Sequence, residues 1–254
     1  MDSGIMRYAV TIDGETTHIG TANELAVALD VLQGHHDRAV LEQLAPHLAE
    51  VVGGPIGLTN VFKSLSPEDQ IYLLQTVDGE LAGLLQEARH LRDLLAALSV
   101  AEVEQCLLET LGTRGLRTLI VTGAQLAQVL EWVYGDCDKQ LMDLLGADYV
   151  RRLVRNGSEL ALVLNCLEET GQQDLLEKLG WPRVVELITD GRELAYLMRA
   201  LPPAQSGRLL DQYSRERIVD LIGNERDWDY LFKRLEAAEA AQLLSKLEVD
   251  HHAK

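Results

Sequence analysis

Apolar residues recur along this chain at i, i+3, i+4 and i+7, the spacing that gathers them on one face of a helix. The pattern itself also recurs. A Leu or Trp followed three and four residues later by an apolar pair stands at Leu25, Leu58, Leu91, Leu126, Leu160, Leu194 and Trp228, with gaps of 33, 33, 35, 34, 34 and 34 residues. Aligned on these anchors, whole columns keep their chemistry. Leu119, Leu153, Leu187 and Leu221 match, as do Leu130, Leu164, Met198 and Phe232. A fixed period of this length is the mark of tandem helical repeats, each burying its apolar stripe only against a neighbour. In the unit 146–179 the spacing predicts helices near 147–155, 157–167 and 171–179, each too short to stand alone.

Capping residues fall where this division needs them. Thr122, Asn156, Asp190 and Asn224 share a column, with Gln125, Glu159, Glu193 and Asp227 three residues on, the capping-box spacing. Thr21 with Glu24 and Ser99 with Glu102 repeat it, and Ser66-Pro67 reads as a helix start. Gly123, Gly157 and Gly191 follow the caps and predict tight corners. Gly112, Gly146 and Gly180 follow a Leu and predict helix ends. Residues 7–20 do not fit the period. Their loose alternation around Asp13-Gly14 predicts a short hairpin or extended cap. The expected architecture is an all-α, right- or left-handed superhelical solenoid of about seven repeats of 33–35 residues. Residues 1–16 form its N-terminal cap, 17–248 the single repeat domain and 249–254 a frayed tail bearing His251 and His252.

Charge narrows the function. The 254 residues carry a formal net charge of −17, with a pI near 4.8. Residues 1–111 hold 17 acidic and 5 basic side chains, a net of −12, against −5 for the remainder. Such a surface repels phosphate backbones and anionic lipids and favours a basic protein partner. The start, MDSGIMRYAV, is not read as a secretory signal, and no apolar run of 18 residues exists. Three widely spaced cysteines, Cys106, Cys137 and Cys166, fit a reducing compartment, so a cytoplasmic location is expected.

Candidate chemistry is sparse. No nucleophile elbow, phosphate loop, His-Glu-x-x-His or Cys-x-x-Cys occurs, so no catalytic, cofactor or metal residues are assigned. Gly53-Gly54-Pro55-Ile56-Gly57 reads as a helix corner. His35 and His36 read as a turn, and with His18 and His47 they are the place an enzyme site would need to form. Two sets of side chains are candidates for partner binding. Arg117, Arg151, Arg152 and Arg155 lie in successive copies of one helix and form a short ladder suited to an acidic segment or phosphate. Leu162, Tyr196 and Tyr230 share a column off the main Leu stripe, beside Trp132, Arg199 and Arg234, a composition typical of contact surfaces.

Two-helix tetratricopeptide units share the period but not their Trp, Leu-Gly-x-x-Tyr and Pro positions. The units are similar to the plant-pathogen DNA-reading repeats in length and in the dipeptide Asn156-Gly157, which in that family would place base contacts at this position. The matching Asn224-Glu225, the missing glycine-rich turn and the acidic charge set the chain apart from that family. The expected function is therefore a non-enzymatic interaction or scaffold module binding a protein or peptide along the solenoid surface, with a basic partner favoured by the charge. The alternatives are nucleic-acid binding by the repeats, an acidic nucleic-acid mimic, and an enzyme site near the N-terminal histidines.

Overall fold

The computed structural model describes residues 6–248 apart from 33, 99 and 224, with the side chains at 225–227, 230, 234 and 248 also outside the description. The predicted tail 249–254, and the capping residues Ser99 and Asn224, therefore lie outside the described residues. The chain is mostly helical and starts with one two-stranded hairpin, β1 (Tyr8–Ile12) and β2 (Glu15–Ile19). Asp13 (φ 51°) and Gly14 (φ 83°) turn between them, both left-handed as the two-residue hairpin turn requires. The second strand runs to Ile19, past the boundary at 16 expected for the cap.

Helices follow as α1 (Ala22–Leu32), α2 (Asp37–Leu44), α3 (Leu48–Val52), α4 (Pro55–Lys63), α5 (Pro67–Thr76), α6 (Leu81–Leu85) and α7 (Ala88–Leu95). Then come α8 (Ala101–Leu119), kinked at Gly112, α9 (Gly123–Leu130), α10 (Cys137–Leu145), α11 (Ala147–Leu153), α12 (Gly157–Asn165) and α13 (Glu169–Leu179). The last are α14 (Trp181–Glu186), α15 (Gly191–Ala200), α16 (Pro203–Asp211), α17 (Arg215–Ile222), α18 (Glu225–Arg234) and α19 (Ala237–Glu248).

Contacts divide these elements into two compact units. The first comprises the chain up to 121 together with 131–145, and the second comprises 122–130 together with 146 onward. In the first, α1 packs on α4 and α4 on α7, while α5, α6 and α10 pack on α8. In the second, α9 packs on α12, α12 on α15 and α15 on α18, and α16 packs on α19. The Leu anchors are the reason. Leu25, Leu58 and Leu91 in the first unit, and Leu126, Leu160 and Leu194 in the second, are wholly buried. Each such side chain stabilises the fold by about 2 kcal/mol over leaving it in water.

Three capping glutamates make a variant of the capping box. Asn156 Oδ1 accepts the Glu159 N–H at 2.8 Å, Asp190 Oδ1 accepts that of Glu193 at 2.9 Å, and Thr21 Oγ1 accepts that of Glu24 at 3.3 Å. The returning bond skips the cap. Glu159 accepts the N–H of Arg155, Glu193 that of Thr189 and Glu24 that of Gly20, each one residue before the cap. The caps Asn156 and Asp190 are fully extended (φ −150°, ψ 170° and φ −147°, ψ 172°). The glutamate reaches across that extended residue.

Glycines divide into two kinds. Gly112, Gly146 and Gly180 have φ of 53°, 77° and 77°, and Gly53 and Gly54 have 69° and 143°, so these are true corners and helix ends. Gly123, Gly157 and Gly191 open α9, α12 and α15 without a left-handed backbone, so the predicted corner is not what they serve. Their role is close approach. A Cβ on Gly157 would lie 2.9 Å from Glu193 Cβ, one on Gly123 3.0 Å from Glu159 Cβ, and one on Gly191 3.2 Å from Ile222 Cα.

Candidate functional site

Among the described residues, the hairpin strands' side-chain hydrogen bonds to the helices come from β1. On the outer edge of β1, the Gln43 side chain from α2 behaves as a short strand. Its Oε1 accepts the Thr11 N–H at 2.9 Å and its Nε2 donates to the Thr11 carbonyl at 3.1 Å. The Tyr8 hydroxyl donates to Glu50 Oε2 at 2.6 Å, and its ring stacks on His47 with centroids 4.0 Å apart. That bond to a carboxylate raises the Tyr8 pKa. Arg7 pairs with Glu24 at 2.7 Å, and His36 lies 3.3 Å from Asp13.

Strand register sets which side chains face α1. Val10 pairs with Thr17, Ile12 with Glu15 and Tyr8 with Ile19, so these six share one face of the hairpin. Val10 and Ile19 are buried. Farther out, this face and α1 part to form a cleft of about 820 Å³, walled by Val10, Ile12 and Thr17 on one side and Val27, Ala28 and Val31 on the other. Helix α1 buries Leu25 and Leu29 in the core. Val27 and Val31, a turn apart on another face, are 62 % and 76 % exposed. Asp13, Glu15 and Glu24 line the same cleft. The Gly20 N–H, then Arg7, hold the Glu24 pKa below its ordinary value. Among the described residues, no cation pairs with Glu15 or with the exposed Asp30 of α1.

A second arrangement is internal. Gln70 Nε2 donates to the Phe62 and Leu65 carbonyls at 2.8 and 3.3 Å. Gln172 donates to those of Leu164 and Leu167 at 2.9 and 3.2 Å, and Ser206 to those of Met198 and Leu201 at 2.9 and 3.4 Å. Each closes the unpaired last turn of the helix before it. Asp37 and Glu104 occupy the related places and are also buried, but an ionised carboxylate has no proton to donate. Burial, then the neighbouring Asp69, pushes the Asp37 pKa up. Burial likewise raises Glu104, which accepts the Tyr134 N–H at 3.0 Å and a bond from Cys137. Burial and that carboxylate push the Cys137 thiol up to about 11, the reverse of an activated nucleophile. Sequence reading missed this series. The signal was a polar residue 12 places after Leu25, Leu58, Leu126, Leu160 and Leu194, and 13 after Leu91, where the period carries its extra residue; Trp228 has Ala240 there.

The arginine ladder has a definite place. Arg117 Nε and Nη2 donate to the Leu145 carbonyl at 3.1 and 2.6 Å, and Arg151 Nη2 to those of Lys178 and Leu179 at 3.1 Å each. Both guanidinium groups cap the helix that ends 28 residues later. Where the column holds Val185, the bond is reversed, and the Tyr213 hydroxyl donates to the Val185 carbonyl at 3.3 Å. Arg152 lies over the Tyr149 ring at 5.5 Å, and Arg155 and Arg199 are exposed. Leu162 is 49 % exposed, Tyr196 is half-buried on α15, and Trp132 is half-buried in the first unit. Tyr230 and Arg234 lie on α18, with side chains outside the described residues. Of the histidines, His47 stacks on Tyr8, His36 meets Asp13, and His18 and His35 are exposed. Among the described residues no three His, Cys, Asp or Glu side chains are grouped to hold a metal, and no helix is long and apolar enough to cross a membrane. No family model, curated protein or solved structure matches the chain.

Proposed function

We propose that the chain is a non-enzymatic interaction module, a superhelical array of about seven helical repeats whose N-terminal cleft receives a basic, apolar segment of a protein partner. The cleft carries this reading. It keeps two valines in water beside Glu15, which no described cation neutralises, and an exposed apolar patch with a polar rim is the usual mark of a contact site. The net charge of −12 over residues 1–111 steers a cationic segment toward it. The array reading is supported by bonds that return at fixed spacing: the Arg caps, the buried Gln and Ser donors, and the capping glutamates. In that array the hairpin takes the place of the first short helix. Catalysis has less support, since the most buried thiol is deactivated and, of the N-terminal histidines, His47 stacks on Tyr8 and His36 meets Asp13. Nucleic-acid reading has less as well, because Arg117 and Arg151 are engaged with main-chain carbonyls. The three free cysteines support a reducing, cytoplasmic setting.

The test is a fluorescence anisotropy titration with labelled Lys-Val-Lys-Val-Lys-Val-Lys and its Glu counterpart. Saturable binding of the Lys peptide alone, weakened by salt, is expected. Equal binding of both peptides, or of neither, would overturn the reading.

A further inference from the structure

We infer that the partner segment binds as a third strand of the hairpin, added along the outer edge of β2. This rests on the cleft reading above and goes beyond it by fixing how the ligand is held. The two edges of the hairpin differ. In this register Ile12–Glu15, Val10–Thr17 and Tyr8–Ile19 exchange the ladder bonds across the two-residue turn. The main-chain groups of Thr11 and Ala9 therefore point outward from β1, and those of Thr16 and His18 point outward from β2. On the β1 side the Gln43 amide already fills the place of a neighbouring strand at Thr11. On the β2 side the Thr16 and His18 main-chain groups have no partner among the described residues. Proteins ordinarily blunt or cover such an edge.

Position and charge then name the occupant. The cleft that Val27 and Val31 line from α1 is the one that Glu15, Thr17 and Ile19 line from β2, so a strand added there lies over the exposed valines. Alternate side chains of the incoming strand face those valines and are apolar. Long cationic side chains at the ends of the segment reach Asp13, Glu15 and Asp30. The ligand class is a short extended segment alternating Val or Ile with Lys or Arg. Main-chain pairing to Thr16 and His18 supplies the binding mode, and the valines and carboxylates supply the selectivity.

N-methylation of the peptide tests this directly. Methyl groups on every second amide of Lys-Val-Lys-Val-Lys-Val-Lys give two complementary probes, one with its blocked amides toward β2 and one with them away. One probe is expected to bind at least about tenfold more weakly than the parent, and the other to bind comparably. His18→Pro removes an outward donor without touching a ladder bond, so the hairpin is retained and parent binding falls by a similar factor. Amide exchange at Thr16 and His18 slows when the parent peptide is bound. If both methylated probes bind like the parent, strand addition is wrong while the cleft reading stands; if the parent itself does not bind, the cleft reading has failed first. Sedimentation equilibrium covers the other occupant: a native dimer that His18→Pro dissolves would assign the edge to a second copy of this chain and overturn the proposal.

Discussion

Replacing Gly57 by alanine adds one carbon where α1 and α4 meet, and the structure predicts a loss out of proportion to the change. A Cβ at this position would lie 2.0 Å from the Val52 carbonyl oxygen and 2.7 Å from the Ala22 Cβ on α1. The nearer obstacle is backbone and the farther one sits on a packed helix, so neither can swing aside as a flexible side chain would. Relief needs about 1 Å of movement by the Gly53–Gly54 corner or by α1, an overpacking strain that costs about 3 kcal/mol. Against this, alanine improves on glycine inside a helix by about 1 kcal/mol. The net expectation is a loss of about 2 kcal/mol. Gly207, within α16, has nothing within 4 Å of its would-be Cβ, so the same substitution there keeps only the gain. Urea denaturation followed by circular dichroism, with m-values compared, reads both. Gly57→Ala should lower the midpoint and Gly207→Ala raise it. A Gly57→Ala protein as stable as the native chain, or two shifts of the same sign, would refute the claim that the anchor helices are held at glycine distance.

Other expectations address the interior and the cleft. Ser206→Ala leaves the Met198 carbonyl without its 2.9 Å donor and should cost about 1–2 kcal/mol in the same urea assay, with no loss meaning the bond is idle. Glu104→Gln tests the sign of a raised carboxyl. Between the ordinary Glu value and its raised value the folded chain holds the proton longer than the unfolded one, so native stability falls as pH rises through that window. The variant should be the more stable at neutral pH, and the advantage should vanish below the ordinary Glu range. The Cys137 thiol, pushed up to about 11, should resist a disulfide reagent at mildly alkaline pH until denaturant is added; modification at the rate of an exposed thiol would contradict its burial. Val31→Asp should abolish Lys-peptide binding while moving stability by less than about 0.5 kcal/mol, because the native side chain is 76 % exposed.

Much of the fold was legible because helix period and capping are local. The residue after Asp13 had to be permissive, and the hairpin turns at Asp13-Gly14. Leu58 and Leu160 had to be inside, and they are. What could not be read was where a side chain ends up when its partner is 28 or 32 residues away. Arg117 and Arg151 looked like a cationic surface because their carbonyl partners, on later helices, carry no sequence signature. Gln43 carries no sequence mark of the strand edge it covers. Gly157 looked like a corner because glycine is usually chosen for its backbone; here the Glu193 Cβ on the next anchor helix makes the demand. The cleft was hidden for a related reason. Val27 and Val31 lie off the Leu25–Leu29 stripe, Val27 in the column of Leu162 and Tyr196, and nothing in the sequence shows that the hairpin and α1 part beside them.

On the proposed reading, ligand enters between β2 and α1. Amide chemical-shift mapping of the labelled protein, titrated with Lys-Val-Lys-Val-Lys-Val-Lys, addresses it residue by residue. The expected result is a contiguous set of shifts over Thr16, His18, Val27 and Val31, absent in Val31→Asp. Shifts centred instead on Leu162 and Tyr196, with β2 and α1 unmoved, would contradict it.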